Sequence, residues 1–144
     1  MPNAAAPLVR QIIKSVTFAG TAGTGAVGTP VTVFTVTGEI TVQELVPFCT
    51  TLLTEAVAGA TLALGITGST ALFVAATNTV DIDANEYWVD TAPDANGVAL
   101  PAAVRNGIAI TDNIIVTPAV QNTNGGVIRF TLTYIPQSAD AAVS

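Results

Sequence analysis

The sequence contains no histidine, a single lysine (Lys14) and a single cysteine (Cys49). Histidine is the side chain used most often as a general base and as a transition-metal ligand. Its absence excludes Ser/His/Asp and Cys/His catalysis, and His/Cys zinc sites, within this chain. One cysteine excludes an internal disulfide, and its apolar neighbours predict a small buried side chain. We therefore predict that the protein is not an enzyme, with no catalytic residue and no cofactor.

Charged residues are scarce, at 10% of the chain against about 25% in an average soluble domain. The net charge is −6, whereas binding to nucleic acid requires Lys and Arg that neutralise phosphates. We expect neither nucleic acid nor an anionic membrane surface as a partner. Since a free monomer needs a charged surface to remain soluble, the scarcity favours a chain that covers its surface with other subunits. The alternative is a surface made polar by Thr, Asn and Gln.

Long apolar runs are also missing, although half of the residues are apolar. The longest run is around residues 71–76 and ends at Thr77, well short of the roughly 18 residues of a membrane span. No basic segment followed by an apolar one opens the chain, so we expect no secretory signal. These features predict a protein that is made in the cytoplasm and does not enter a membrane.

Short β-strand patterns follow one another along the chain, with β-branched residues in alternation with small or polar ones. Asn-Gly pairs such as Asn96-Gly97 and Asn106-Gly107 supply the positive φ that tight hairpins require. No amphipathic helical period is present. The pattern predicts an antiparallel β-sandwich of about eight strands, and a jelly roll is one topology that fits. The expected strands are residues 14–18, 31–37, 39–45, 61–67, 71–76, 79–82, 86–89, 107–111, 113–117 and 127–135.

The chain is expected to form a single domain over residues 12–137, with an N-terminal arm (residues 1–11) and a C-terminal tail (residues 138–144). A Gly/Thr-rich loop occupies residues 19–30. Pro47 cannot donate to a β-ladder, so we expect the strand before it to bulge or to lie at a sheet edge there. A turn or two of helix is the most that residues 45–58 would hold.

Four aliphatic residues near the N-terminus are the predicted partner contacts: Leu8, Val9, Ile12 and Ile13. The arm that precedes the first strand has no periodic pattern, and such segments are ordered only when they dock on something. We expect these residues to pack against a neighbouring subunit, together with the flexible loop over residues 19–30.

Two motifs suggest ligands. Gly23, Gly25 and Gly28 match G-x-G-x-x-G, but a dinucleotide site needs a helix to begin there, and a β-branched strand follows instead. We therefore interpret these glycines as a mobile connection between strands.

The second motif is acidic. Asp81, Asp83 and Asn85 match the start of an EF-hand loop, but Glu86 replaces the required glycine and Ala92 the final glutamate. A solvated acidic rim is our interpretation. The alternative is a looser calcium site that uses Asp81, Asp83 and Glu86, with Asp90 and Asp94 nearby. Trp88 and Tyr87 beside these acids raise a glycan-binding alternative, although a lone Trp is more often a core residue.

Five segments of the chain together carry a family resemblance: Thr-Gly-Glu-Ile-Thr-Val (37–42), Cys-Thr-Thr-Leu (49–52), Ala-Leu-Phe-Val-Ala-Ala (71–76), Asp-Ile-Asp-Ala-Asn-Glu-Tyr-Trp-Val-Asp (81–90) and Tyr-Ile-Pro (134–136). With them, over roughly residues 30–137, the sequence resembles small β-sandwich virion proteins of tailed bacteriophages. The resemblance implies a structural protein made in the host cytoplasm and carried in the virion. The expected role is capsid decoration (cement), with the major capsid protein or further copies of itself as partners, as a dimer or trimer. A tail, collar or head-fibre component is the alternative.

Overall fold

The computed structural model describes residues 8–144, and nearly all of its regular structure is β. One short helix, α1 (Ala102–Arg105), and one 3-10 turn (Thr79–Asp81) are its helical elements. The strands of the described chain are β1 (Arg10–Thr17), β2 (Val31–Phe34), β3 (Val36–Thr37), β4 (Ile40–Glu55), β5 (Thr61–Ile66), β6 (Ser69–Asn78), β7 (Glu86–Tyr87), β8 (Ile108–Ile110), β9 (Ile114–Ala119), β10 (Thr123–Pro136) and β11 (Ala142–Val143).

Two antiparallel sheets form a sandwich, which confirms the predicted fold class. The five-stranded sheet has the order β1-β10-β4-β7, with β8 also paired to β4. The four-stranded sheet has the order β2-β9-β5-β6. A small third ladder joins β11 to β3, so the predicted C-terminal tail contributes a strand. Arg10 and Gln11, which the sequence placed in the arm, belong to β1, and residues 1–7 of that arm lie outside the described residues.

The core lies between the two sheets and follows the period-two alternation of the strands. On β10, Ile128, Phe130, Leu132 and Tyr134 are buried, as their alternation indicated. Leu62 and Leu64 of β5 meet them from the opposite sheet and belong to the same apolar cluster. Full burial of each such side chain contributes about 1.5–3 kcal/mol. Burial of this core therefore opposes the loss of conformational entropy on folding.

Strand β4 is much longer than expected, because it continues through Pro47 to Glu55. The ladder with β10 is in continuous register at this point, with Pro47 opposite Phe130. The Pro47 carbonyl accepts the Trp88 N–H at 3.1 Å on the other side of the strand. Both backbone groups of a strand residue point the same way, so the missing N–H of Pro47 faces away from β10. The predicted bulge or edge at Pro47 is therefore wrong, and residues 45–55 are strand without a helical turn.

The segment predicted as a strand over residues 79–82 is a 3-10 turn instead. The Thr79 N–H donates to the Ala60 carbonyl, and its hydroxyl donates to the Glu55 carboxylate at 2.7 Å. These two bonds hold the end of β6 against the β4–β5 loop, so the chain turns there before it reaches β7.

Candidate interaction surfaces

The first candidate surface is β1, which is the edge strand of the five-stranded sheet. It pairs with β10 alone, and none of its eight residues is fully buried. Three of the four predicted contact residues are exposed there or just before it: Leu8 (64%), Val9 (54%) and Ile13 (57%). Ile12 is half-buried and packs against the core, because it shares the inner face of the sheet with Leu132. We call Leu8, Val9 and Ile13 the β1 strip.

The second candidate surface was not predicted from the sequence. The loop over residues 19–30, the β4–β5 loop and the β9–β10 turn meet at one end of the sandwich. The Val27 N–H donates to Asn122 at 2.9 Å, and Gly59 lies beside Val120. The three loops contain no charged residue, although Asp81 in the adjacent 3-10 turn is an exposed acid. We call this the uncharged end; its exposed aliphatic residues are Val27, Val57, Val80 and Val120, with Leu52 close by on β4.

A sequence signal for the uncharged end does exist. Residues 15–38, 56–80 and 113–128 contain no Asp, Glu, Lys or Arg, and most of the loops at this end come from these three stretches. Their convergence depends on which strands pair, such as Thr61 with both Asn78 and Ala119. The charge-free stretches could therefore be seen in the sequence, but not their meeting point.

The loop over residues 19–30, for which we predicted a mobile connection between strands, is closed by its own hydrogen bonds. The Thr24 carbonyl accepts the Ala19 N–H at 2.8 Å, and the Thr29 hydroxyl accepts the Gly23 N–H at 3.2 Å. Gly25 has a φ of +128°, and a Cβ there would strike the Thr123 carbonyl. Gly25 thus serves close packing against β10, whereas a Cβ at Gly23 or Gly28 would meet nothing within 4 Å and both residues have positive φ. Strand β2 follows the loop where a dinucleotide site needs a helix.

The acidic residues considered as calcium ligands lie between β6 and β7, in β7 and just after it. No group of three or more Asp, Glu or Cys side chains within residues 8–144 is arranged to hold a metal ion. Asp81 ends the 3-10 turn, and both Asp81 and Asp83 are exposed. The Glu86 carboxylate accepts the Asp83 N–H at 2.9 Å, so it caps its own loop.

The two aromatic residues beside the acidic loop point to opposite faces of the sheet. Trp88 is fully buried, and its indole N–H donates to the Thr77 hydroxyl at 3.0 Å. It cannot present a stacking face to a sugar. Tyr87 packs edge-on against Phe48 on the outer face, with ring centroids 4.8 Å apart, and the Arg129 guanidinium lies 5.0 Å from the Phe48 ring. Tyr87 also lines a shallow groove of about 320 Å³, together with Glu44, Val46, Val98 and Leu100.

Cys49 is fully buried in the middle of β4. Burial raises the pKa of its thiol to about 11, and the negative charges of Glu86 and Asp83 act in the same direction. The thiol also donates to the Thr51 carbonyl at 3.2 Å. Because the thiolate is the nucleophilic form of cysteine, this side chain is a core residue with no nucleophilic role at neutral pH.

Glu55, the last residue of β4, holds the β4–β5 loop against the 3-10 turn beside the uncharged end. Its carboxylate accepts the Thr79 hydroxyl and the N–H groups of Gly59 and Ala60, at 2.7, 3.1 and 2.9 Å. These bonds hold the pKa of the Glu55 carboxyl below its ordinary value of 4.5, and the bond from the Thr79 hydroxyl has the largest effect. A carboxyl whose pKa is lowered by folding stabilises the native state above its unfolded pKa, and this contribution disappears as the pH falls through the folded pKa.

We expect Glu55→Gln to lower the melting temperature at pH 7, because the Gln amide nitrogen cannot accept the bonds that the carboxylate accepts. The natural protein is expected to lose stability as the pH falls below 4.5, and the variant should lose part of this acid sensitivity. Thermal unfolding followed by circular dichroism from pH 7 to pH 3 measures both effects. Glu39→Gln, at an exposed glutamate, is the control. Equal pH profiles for the natural protein and Glu55→Gln would refute this role for Glu55.

The fold and its surfaces define an all-β sandwich whose exposed apolar residues collect on a sheet edge and at one end. No helix among the described residues is long and apolar enough to cross a membrane. The chain matches no known family profile and no curated protein. It resembles a chain of the solved structure of the cyanophage Pam1 capsid asymmetric unit, with a TM-score of 0.57 and 19% sequence identity. The likeness covers 95% of this chain and 91% of the other, and at this identity it shows a shared fold.

Proposed function

We propose that this chain is a structural protein of a bacteriophage virion and acts as a capsid decoration (cement) protein. The observation that carries the proposal is the match of nearly the whole fold to a chain of a cyanophage capsid asymmetric unit. It agrees with the sequence resemblance to phage virion proteins and with the scarcity of charge. The proposed partners are the major capsid protein and further copies of this chain, and the proposed location is the outer surface of the head.

The strand order supports the proposal, since it is compatible with a jelly-roll topology. The sheet orders β1-β10-β4-β7 and β2-β9-β5-β6 are compatible with the double Greek key of viral capsid domains. Most connections cross from one sheet to the other, whereas β5 and β6 form a hairpin within one sheet. Strands β7 and β8 both pair with β4, at different places along its length. Strand β7 pairs with Phe48 and Cys49, and β8 pairs with Ile40 to Val42.

The physical mechanism is burial of apolar surface between subunits. The β1 strip and the uncharged end together expose eight Leu, Ile and Val side chains, and burial of one such side chain contributes about 1.5–3 kcal/mol. A protein that binds only the assembled shell stabilises that shell by mass action. Neither surface contains a histidine or a reactive thiol, so the proposed role involves contact and no catalysis.

The proposal is tested by adding the purified chain to heads that lack it. The natural protein and Ala102→Asp, an exposed position at the start of α1, are expected to bind to full occupancy. Two double variants place charge on the candidate surfaces: Leu8→Asp with Ile13→Asp, and Val57→Asp with Val120→Asp. We expect at least one of them to lose binding while it keeps the circular dichroism spectrum of the natural protein.

Sedimentation of the heads, followed by gel densitometry of the bound chain, gives the occupancy. Failure of the natural protein to bind would overturn the proposed function. Equal binding by the natural protein and all three variants would show that neither surface contacts the shell.

A further inference from the structure

The free edge of β1 differs from the other sheet edges. The ladder between β1 and β10 runs over eight residue pairs without a register shift. By contrast, β6 has two register shifts along its ladder with β5, β2 has only four residues and one shift, and β7 has two residues. Bulges and short strands protect edges from pairing with other chains. The other edges have this protection, and β1 has only its charged residues.

The direction of each backbone group on β1 follows from one hydrogen bond. The Phe18 N–H donates to the Gly126 carbonyl at 2.9 Å, and hydrogen-bonded pairs alternate along an antiparallel ladder. Arg10, Ile12, Lys14 and Val16 therefore direct their N–H and C=O groups toward β10. The backbone groups of Gln11, Ile13, Ser15 and Thr17 point outward, where the described structure provides no strand.

The side chains along the β1 edge indicate the charge that a partner strand would carry. Arg10 and Lys14 are exposed and lie on the same face, four residues apart. They are half of the basic residues in a chain whose remainder has ten acidic and two basic residues. The exposed Ile13 lies on the other face. In an antiparallel partner, the residues opposite Arg10 and Lys14 would occupy the non-hydrogen-bonded positions, where side chains approach most closely.

We propose that β1 is a docking edge for an extended strand of a partner protein that has two carboxylates spaced four residues apart, with aliphatic residues between them. The added strand would extend the five-stranded sheet by β-augmentation. A second β1 is a poor occupant, because like charges on paired strands destabilise the pairing. The inference deepens the proposed function, since it names the chemistry of the capsid or neighbouring segment that binds at this edge.

The test uses the full chain and a synthetic peptide that satisfies this chemistry, Val-Thr-Glu-Val-Val-Thr-Glu. Read antiparallel to β1, its residues lie opposite Val16 to Arg10, with the two glutamates opposite Lys14 and Arg10. The control peptide, Val-Thr-Lys-Val-Val-Thr-Lys, differs only in charge. Binding is measured by fluorescence anisotropy of the labelled peptides, and amide hydrogen exchange locates the site.

We expect the acidic peptide to bind at least about tenfold more tightly than the basic one, with slower exchange at Gln11, Ile13 and Ser15. Ser15→Pro removes an outward N–H without removing a bond to β10, so it should abolish binding and leave the fold intact. Ser15→Ala keeps that N–H and should bind normally. The variant Arg10→Glu with Lys14→Glu should reverse the preference between the two peptides.

Equal binding of both peptides, or undiminished binding by Ser15→Pro, would overturn the docking edge. So would a failure of the acidic peptide to bind. The proposed function has a separate readout, because natural protein that occupies heads but ignores the peptide would leave the virion role standing and remove only the inference about β1.

Discussion

Replacement of Trp88 by alanine is expected to remove about 3–5 kcal/mol from the free energy of unfolding. Trp88 is the largest fully buried side chain of the core, and its loss leaves a cavity between the sheets. A domain of this kind has a total stability of about 5–15 kcal/mol, so the variant should retain little margin. Trp88→Phe keeps most of the ring and should lose less.

Chemical denaturation followed by circular dichroism measures this effect, since Trp88 is the only tryptophan and its removal abolishes the fluorescence signal. Val80→Ala, at an exposed position of the uncharged end, is the control and should change the stability by no more than about 0.5 kcal/mol. A loss for Trp88→Ala within that same range would contradict the burial of this side chain and reopen its role as a ligand platform.

Two buried threonines should respond in opposite directions when each is changed to valine. The Thr77 hydroxyl accepts the Trp88 indole N–H and donates to the Ala75 carbonyl at 2.9 Å. Thr77→Val leaves both groups without their partner, at a cost of about 1–3 kcal/mol for each. The Thr123 hydroxyl is buried and has no hydrogen-bond partner, so Thr123→Val should raise the stability by about 1 kcal/mol.

Denaturation midpoints of the two variants, measured side by side, give the comparison. Both substitutions exchange a β-branched residue for another of the same shape, so each is the other's control for strand propensity. In the background of Trp88→Phe, Thr77→Val should cost less than it does alone, because the indole donor is gone. Destabilisation by Thr123→Val as large as that by Thr77→Val would refute the assignment of the hydrogen bonds.

Much of the fold follows from local sequence patterns. The alternation on β5 and β10 identified both the strands and their buried faces, because a period of two survives wherever one face of a sheet meets the core. The Gly-rich stretch over residues 19–30 separates β1 from β2 as expected, but the tight hairpins predicted at Asn-Gly pairs are wrong. Asn106 caps the C-terminal end of α1, and Asn96-Gly97 lies in an irregular loop, with neither asparagine at positive φ. The all-β class and the absence of long helices followed from the same features.

The errors arose where non-local contacts decide the local structure. Pro47 stays within a central strand because its missing N–H faces away from the β10 ladder, a direction that depends on sheet order. Residues 79–82 form a turn because Thr79 binds Glu55, which lies 24 residues earlier in the sequence. The C-terminal Ala142–Val143 becomes β11 only because β3 offers an edge.

Of the two candidate surfaces, one could be predicted from the sequence and the other could not. The β1 strip could be named from the sequence, since its aliphatic residues precede and enter the first strand. The exposure of Ile13 and the burial of Ile12 follow from the pairing of β1 with β10 and not from their identities. The uncharged end requires the meeting of three separate loops, so no local window of the sequence could identify it.

We propose that this chain functions by contact with other subunits of a phage shell. The most direct test is a cryo-electron microscopy reconstruction of the native particle, with the copy number checked by quantitative mass spectrometry. The account predicts density for this sandwich on the outside of the head, in numbers comparable to the major capsid protein and with the β1 edge or the uncharged end against a neighbour. Absence of the chain from the particle would contradict the account, and a few copies confined to the tail would contradict the decoration role.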